Sequence, residues 1–405
     1  MEPVNVVVTG LGLMTGVGLD LESSWQGLVA GRRVARRYTL FDTAGVDVPV
    51  GVELPDGADD LFRAQIKPRS RAQMTRGTMI SLVTARMALD DAGLDLDAVD
   101  RQRVGVVAGA TGTGYVPPPD GPDANRILKN MASAPAAWIS LKERALGPSM
   151  VVSTACSSGV YALHTAWHLI VSGECDVVVA GAGDSSLNAP DSNGFAALMA
   201  LADPDDDPAG MSRPFDATRK GFVMAEGGGF LVLESAAHAA ARGARVHAAL
   251  HRPGLASEGY NIVSPEPGGG GMARAMRLAL AAAGLRPDDI GYVNAHGTST
   301  PLNDLYETAA IRDVFGDHAS RVPVSSTKGV TGHCLAAAGG VEAVITVLAL
   351  ARGVLPPTVN LVHPDPELGP MDFVAGGART ARIDHAMCNS FAFGGQNAVC
   401  IFSRP

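Results

Sequence analysis

Short, unbroken apolar runs of strand length, each ended by turn residues and separated by helical stretches, constrain this chain more than any other feature. The runs fall at residues 6–9, 104–108, 150–153, 177–180 and 230–233, with helical spans at 78–93 and 158–173. Strands that are apolar throughout, rather than on alternate residues, belong to a sheet covered on both faces, and the intervening helices supply the cover. The second half keeps the rhythm. A helix over 272–283 ends at Gly284, a strand follows at 290–294, then a helix at 305–315, a strand at 322–325, a long helix at 339–352 and closing strands at 382–389 and 397–402. We read two α/β halves, 1–248 and 249–405, meeting near residues 245–255, with no residue-level repeat between them. The first run leads into GLGLMTGVG, expected to be a Gly-rich turn, and residues 111–130 and 203–210 are expected to be Pro- and Gly-rich loops.

Composition narrows the function classes. A chain of 405 residues that is 46% hydrophobic has ample apolar content for a core, which argues against disorder. Its net charge of −9 lacks the basic excess of a nucleic-acid binder. The five cysteines, Cys156, Cys175, Cys334, Cys388 and Cys400, are scattered without a C-x-x-C pair, which fits neither a disulfide framework nor a zinc site. The N-terminus lacks a signal-peptide pattern, and no apolar run is read as a membrane span, so a cytoplasmic location is expected. Neither GLGLMTGVG nor GATGTG supplies G-x-G-x-x-G between a strand and a helix, so a dinucleotide site is discarded.

The segments that carry chemistry sit at strand ends. In VVSTACSSGVYALHTAWHLI an apolar strand stops at Ser153 and a helix starts close to Cys156. A thiol at a helix N-terminus meets unpaired N–H groups and the positive end of the macrodipole, both of which favour thiolate. From this segment alone, an inert buried cysteine is the commoner reading. YVNAHGTSTPLND places His296 in a tight loop after a strand, and VSSTKGVTGHCLAAAGG does the same for Lys328 and His333. Each histidine taken alone is more often structural. A strand-end cysteine together with both makes a Cys/His set of the kind used in covalent catalysis. In NSFAFGGQNA, Gly394 and Gly395 permit tight geometry, and a backbone N–H near Phe393 is placed to meet a substrate oxygen.

Taken together with VVVTGLGLMTGVG and SRPFDATRKGFVMAEGGGFLVLE (residues 212–234), these segments resemble the elongating β-ketoacyl-acyl carrier protein synthases, a family that includes type II polyketide ketosynthases. The resemblance runs in order over nearly the whole chain. It implies a thiolase-like, five-layered α/β/α/β/α fold made of two related halves. The activity it implies is acyl transfer to a cysteine followed by decarboxylative Claisen condensation with a malonyl-carrier protein. By similarity Cys156 is the nucleophile, and His296 and His333 donate from Nε2 to the enolate oxygen. Lys328 is implied to order the site around His333, with Glu342 as structural support. Phe393 is implied to gate the acyl pocket and to share an oxyanion hole with Cys156, and Thr298 and Thr300 to bind the phosphopantetheine arm. No cofactor beyond that arm is implied, and no metal.

The implied partners are an acyl carrier protein, which is acidic in this family, and a second chain. The second chain completes a homodimer, or a heterodimer with a homologous chain-length-factor-like subunit. For carrier docking the expected basic patch is Lys67, Arg69, Arg71 and Arg76 in KPRSRAQMTR.

The sequence departs from the family pattern in three places. The 111–130 loop is shorter, and Tyr115–Pro119 includes three consecutive prolines. Ala392 stands where glycine is usual, a change expected to stiffen the gate, and Gln396 where threonine is usual. These departures lean the reading towards polyketide or polyene assembly. Other readings are a non-elongating acyltransferase on the same fold, a non-catalytic chain-length-factor-type subunit, and a coenzyme A thiolase with Cys388 as its second cysteine.

Overall fold

The computed structural model describes residues 5–111 and 124–405. The expected alternation is present, and its strands join into a single twelve-stranded sheet made of two similar parts. In the first part, β1 (Val6–Met14), β2 (Val104–Gly109), β3 (Ser149–Val152), β4 (Val177–Asp184) and β5 (Gly227–Ser235) lie in the order β3-β2-β4-β5-β1. The second part contains β6 (Ala248–Leu250), β7 (Gly254–Ser257), β8 (Tyr292–Asn294), β9 (Pro323–Ser325), β10 (Asp372–Phe373), β11 (His385–Ala392) and β12 (Gln396–Ser403). Its order is β10-β9-β8-β11-β12, after which β6 and β7 both pair with β12. In each part three neighbouring strands run parallel and the next two are antiparallel: β3, β2, β4 then β5, β1, against β9, β8, β11 then β12, β7. The two parts are joined by β6, which pairs with β1 on one side and β12 on the other.

The helices repeat as well. Helices α1 (Arg76–Asp91) and α2 (Ala134–Glu143) cover the outer face of the first part, and α4 (Gly270–Ala283) and α5 (Pro301–Phe315) that of the second. Between the two parts lie α3 (Ser158–Val171) and α6 (Ala338–Arg352), which touch each other and strands of both parts. The result is the five-layered arrangement of two related halves. The central helices meet at glycine: a Cβ on Gly159 would sit 2.3 Å from the backbone N of Gly340. No side chain fits at that crossing.

Three expectations need correction. The Gly-rich stretch after residue 9 is strand as far as Met14, and the turn is confined to its end, where Thr15 and Gly18 exchange backbone hydrogen bonds. The glycines are there because α1 presses on the sheet: a Cβ at Gly10 would lie 2.1 Å from the Ala88 carbonyl oxygen, and one at Gly12 2.0 Å from that of Thr84. Residues 124–129, expected as loop, form a short helix, while Tyr115–Pro119 lies outside the described residues. Finally, Leu335–Arg352 is an 18-residue stretch of mean hydropathy 1.7, apolar enough to span a membrane by composition. It is 89% buried inside the protein, and every residue of α6 from Ala338 to Leu350 is covered. A helix that is apolar on all sides is the signature of a central core position.

Candidate active site

The strand-to-helix connections converge on one point between the central helices. The turn after β3 is held by its own small side chains: the Thr154 N–H donates to Ser158 Oγ at 2.9 Å, and Ser157 Oγ donates to the Thr154 carbonyl at 2.8 Å. Ala155 takes a left-handed backbone (φ 47°), which is strained for a non-glycine residue and turns Cys156 inward at the start of α3. Ser390 Oγ ties down the Cys156 carbonyl at 3.2 Å.

Around the sulfur stand groups from three other segments. His333 Nε2 lies 3.2 Å from Cys156 Sγ, and the Phe393 backbone N–H is directed at the same sulfur. The His296 ring meets the His333 ring edge-on, with centroids 5.4 Å apart. The expectation that the helix terminus favours thiolate does not hold at rest. Burial pushes the Cys156 thiol up to about 11, outweighing the Lys328 charge and the Phe393 N–H that oppose it.

Lys328 is placed differently from its expected role around His333. Its ammonium donates to the His296 carbonyl at 2.5 Å, lies 3.2 Å from His296 Nδ1 and forms a buried ion pair with Glu342. The short helix Lys328–Thr331 starts directly after β9, beside β8, so the side chain reaches the His296 loop that ends β8. An ammonium donating to Nδ1 leaves the proton of a neutral His296 on Nε2, the nitrogen available to a ligand. Both imidazoles are held well below the ordinary histidine range, His296 by burial, Lys328 and His333, and His333 by burial and Lys328. Burial raises Glu342 to about 7 against the pull of Lys328.

The structure also shows residues that the sequence reading missed. Glu307 on α5 accepts the backbone N–H groups of His296 (2.8 Å) and Gly297 (2.7 Å) and the side-chain amide of Asn389 (3.0 Å), fixing the histidine loop. One turn earlier, Asp304 accepts the Ser299 and Phe215 N–H groups at 3.2 and 2.8 Å. Two carboxylates three residues apart in the first turns of a helix that follows a tight loop are a readable signal, since they point back at that loop's free N–H groups.

Two cavities meet at Cys156, and Cys156, Phe195, Leu335 and Phe393 line both. The larger, about 330 Å³, also holds His296, His333, Thr298 and Thr300, and the two threonine hydroxyls are 2.9 Å apart. The smaller, about 240 Å³, adds Thr111, Ala155, Ser186 and Asp191. Phe393 stands between them at a turn carried by Gly394 (φ 83°), whose N–H donates to the Ile262 carbonyl at 2.8 Å. Ala392 is extended (φ −127°), a conformation open to any residue, and its methyl lines the larger cavity.

The expected basic patch is only partly free. Lys67 and Arg69 are exposed and Arg71 is half-buried, but Arg76 turns inward to the fully buried Glu226 at 2.5 Å and also holds Asp59. That buried carboxylate has to be paired, which removes Arg76 from the patch. Cys388 lies buried in β11 opposite Cys400 and lines neither cavity, so the structure does not place it as a thiolase-type second cysteine.

Fold and site together define a condensing enzyme of the thiolase-like class. The model of the Beta-ketoacyl synthase N-terminal domain matches residues 4–239 and that of the C-terminal domain residues 247–362, and the chain belongs to this family. It is 37% identical to 3-oxoacyl-[acyl-carrier-protein] synthase 2 of Synechocystis over 100% of this chain and 99% of the relative. It is 38% identical to the same-named protein of Rhizobium meliloti over 98% of each. Among solved structures it resembles the ishigamide ketosynthase/chain length factor, with a TM-score of 0.90, 33% identity and full coverage of both chains. It also resembles a β-ketoacyl synthase from Burkholderia phymatum, with a TM-score of 0.91 and 34% identity over 99% of this chain and 100% of that one. A further neighbour is a ketosynthase of a type II PKS, bound to its acyl-carrier protein and a hexaketide, with a TM-score of 0.89 and 29% identity over the full length of both chains.

Proposed function

We propose that the chain is a β-ketoacyl-[acyl carrier protein] synthase that loads an acyl group on Cys156 and extends it by decarboxylative condensation with a malonyl-carrier protein. The observation that carries the reading is the convergence on one sulfur of His333 Nε2 at 3.2 Å and the Phe393 N–H, with His296 alongside.

In the first step Cys156 Sγ attacks the acyl thioester carbonyl. The oxyanion is held by the backbone N–H groups of Cys156 and Phe393, and the thiol proton passes to the departing phosphopantetheine sulfur. In the second, the malonyl C–C bond breaks to release carbon dioxide, and the enolate oxygen receives Nε2–H bonds from His296 and His333. Neutral imidazoles suit this role, since each keeps one proton to donate. The enolate carbon then attacks the acyl-Cys156 carbonyl, and Cys156 leaves as thiolate and is reprotonated. Lys328, paired with Glu342, fixes the His296 tautomer. Thr298 and Thr300 line the approach of the phosphopantetheine arm, which is the substrate carrier; no other cofactor enters the scheme.

The partners follow from the same reading. An acidic carrier protein docks near the exposed Lys67 and Arg69, with Arg71 at the patch margin. A second ketosynthase-like chain, identical or homologous, pairs along β3, which ends the sheet with no strand on its outer edge among the described residues, near the exposed Leu141 and Leu146. The relatives include 3-oxoacyl-[acyl-carrier-protein] synthases at 37–38% identity and a type II PKS ketosynthase at 29%, so both kinds of assembly fit, and the lean towards polyketide-type assembly rests on Ala392, Gln396 and the short 111–130 segment of the sequence.

Intact-mass spectrometry of the protein with acyl- and malonyl-carrier proteins tests the proposal. A β-ketoacyl-carrier product two carbons longer, absent with Cys156→Ala, is expected. Acylation without an extended product, with a partner subunit present, would favour the non-elongating acyltransferase.

A further inference from the structure

The smaller cavity is unusual for a compartment meant to hold an alkyl chain. Phe195, Leu335, Phe393 and Ala155 supply apolar surface, but Thr111, Ser186 and Asp191 supply three oxygen-bearing side chains. Their hydrogen bonds decide what those oxygens can offer. Ser186 Oγ donates its only proton to Asp184 Oδ1 at 2.8 Å, and Thr111 Oγ1 donates its own to Asp184 Oδ2 at 3.1 Å. Asp184 is itself buried, so both hydroxyl protons are committed within the wall. Asp191 Oδ2 accepts from the Asn188 side chain at 2.7 Å, and among the described residues Oδ1 has no hydrogen-bond donor. A hydroxyl has one proton and two lone pairs, and a carboxylate has lone pairs only. The cavity wall next to Cys156 therefore offers acceptors and no side-chain donor from these residues.

Resting on the synthase reading above, we propose that this cavity selects acyl chains carrying a hydrogen-bond donor, a hydroxyl in the first instance, over saturated or keto-bearing chains of the same length. A saturated chain entering here strips water from lone pairs and gives nothing back. A keto oxygen brings another acceptor against them. A hydroxyl pairs with them at no such cost. Sites built to hydrogen-bond a substrate hydroxyl discriminate strongly against analogues lacking it, because their own polar groups are left unpaired.

The test is the rate of Cys156 acylation, read by intact mass, from carrier proteins bearing saturated, 3-hydroxy, 5-hydroxy, 3-oxo and amide-containing chains of equal length. At least one hydroxy chain is expected to load on the order of tenfold faster than the saturated and 3-oxo chains. The amide arm separates a general donor preference from a hydroxyl preference. Asp191→Leu is expected to remove the preference by speeding saturated chains, and Ser186→Ala, a smaller change at a separate position, to reduce it. Equal or faster loading of the saturated chain by the wild-type protein overturns this inference and leaves the synthase reading standing. Failure of every chain to load overturns both.

Discussion

The two halves build the same connection, a parallel strand running into a central helix, and equip it in opposite ways. In the first half, residues 153–157 join β3 to α3 with small side chains, Ala155 in a left-handed turn and one thiol at the helix start. In the second, the longer stretch 326–337 joins β9 to α6 through a one-turn helix, with Leu335 in a matching left-handed turn (φ 46°). There the frame holds a buried ammonium, an imidazole and, one turn into α6, a buried carboxylate. The first half thus contributes a neutral nucleophile, and the second the charges and N–H donors that act around it. A duplicated frame fixes where side chains meet and leaves open which chemistry each half supplies.

The sharpest way to break this division is to disable one half at a time. Cys156→Ala is expected to abolish acylation and condensation, a loss of at least about a thousandfold. His296→Ala is expected to keep acylation near normal while lowering malonyl decarboxylation by about a hundredfold or more. Mass spectrometry and carbon dioxide release report the two steps separately. If His296→Ala stops acylation as completely as decarboxylation, the halves do not divide the work.

The buried charge of the second half should show in stability. Lys328→Met leaves Glu342 without its counter-charge and is expected to cost about 3–5 kcal/mol in urea unfolding. Replacing both, Lys328→Met with Glu342→Leu, should restore most of that stability without restoring condensation. Recovery of activity in the double variant would show that Lys328 does not act through His296.

Glu342 also sets a pH signature. Its folded value, about 7, lies above its ordinary 4.5, so the stability linked to its protonated form is complete below 4.5 and lost as pH rises through about 7. His296 and His333 act in the opposite sense: their depressed values contribute stability above 6.5 that is lost as pH falls through the folded values. Urea midpoints across this range should show Glu342→Gln flattening the loss towards neutrality and sparing the loss on the acid side. An unchanged profile would mean that the carboxyl is not titrating there.

The smallest expected effect lies where the halves touch. Phe393→Ala merges the two cavities and is expected to lower condensation by about tenfold while Cys156 still accepts acyl groups. The ratio of loaded enzyme to extended product measures it, and a loss confined to loading would place the barrier elsewhere.

Much of this protein could be read from its sequence. Strand and helix positions follow from local apolar runs and their turn residues, and Cys156 and His296 stand out because each sits where a strand has just ended, with His333 beyond the one-turn helix that follows β9. Partnerships across long separations were decided only by the tertiary structure. Lys328 serves His296 rather than His333, and Arg76 turns in to Glu226. The resting state of the Cys156 thiol is likewise set by the fold, because its immediate neighbours in the chain show the helix start but not the depth of burial. Propensity and patterning act over a few residues and can be read from the chain. Burial, pairing and the lining of a cavity drawn from residues 111, 155, 186 and 191 depend on distant segments and exist only once the fold has closed.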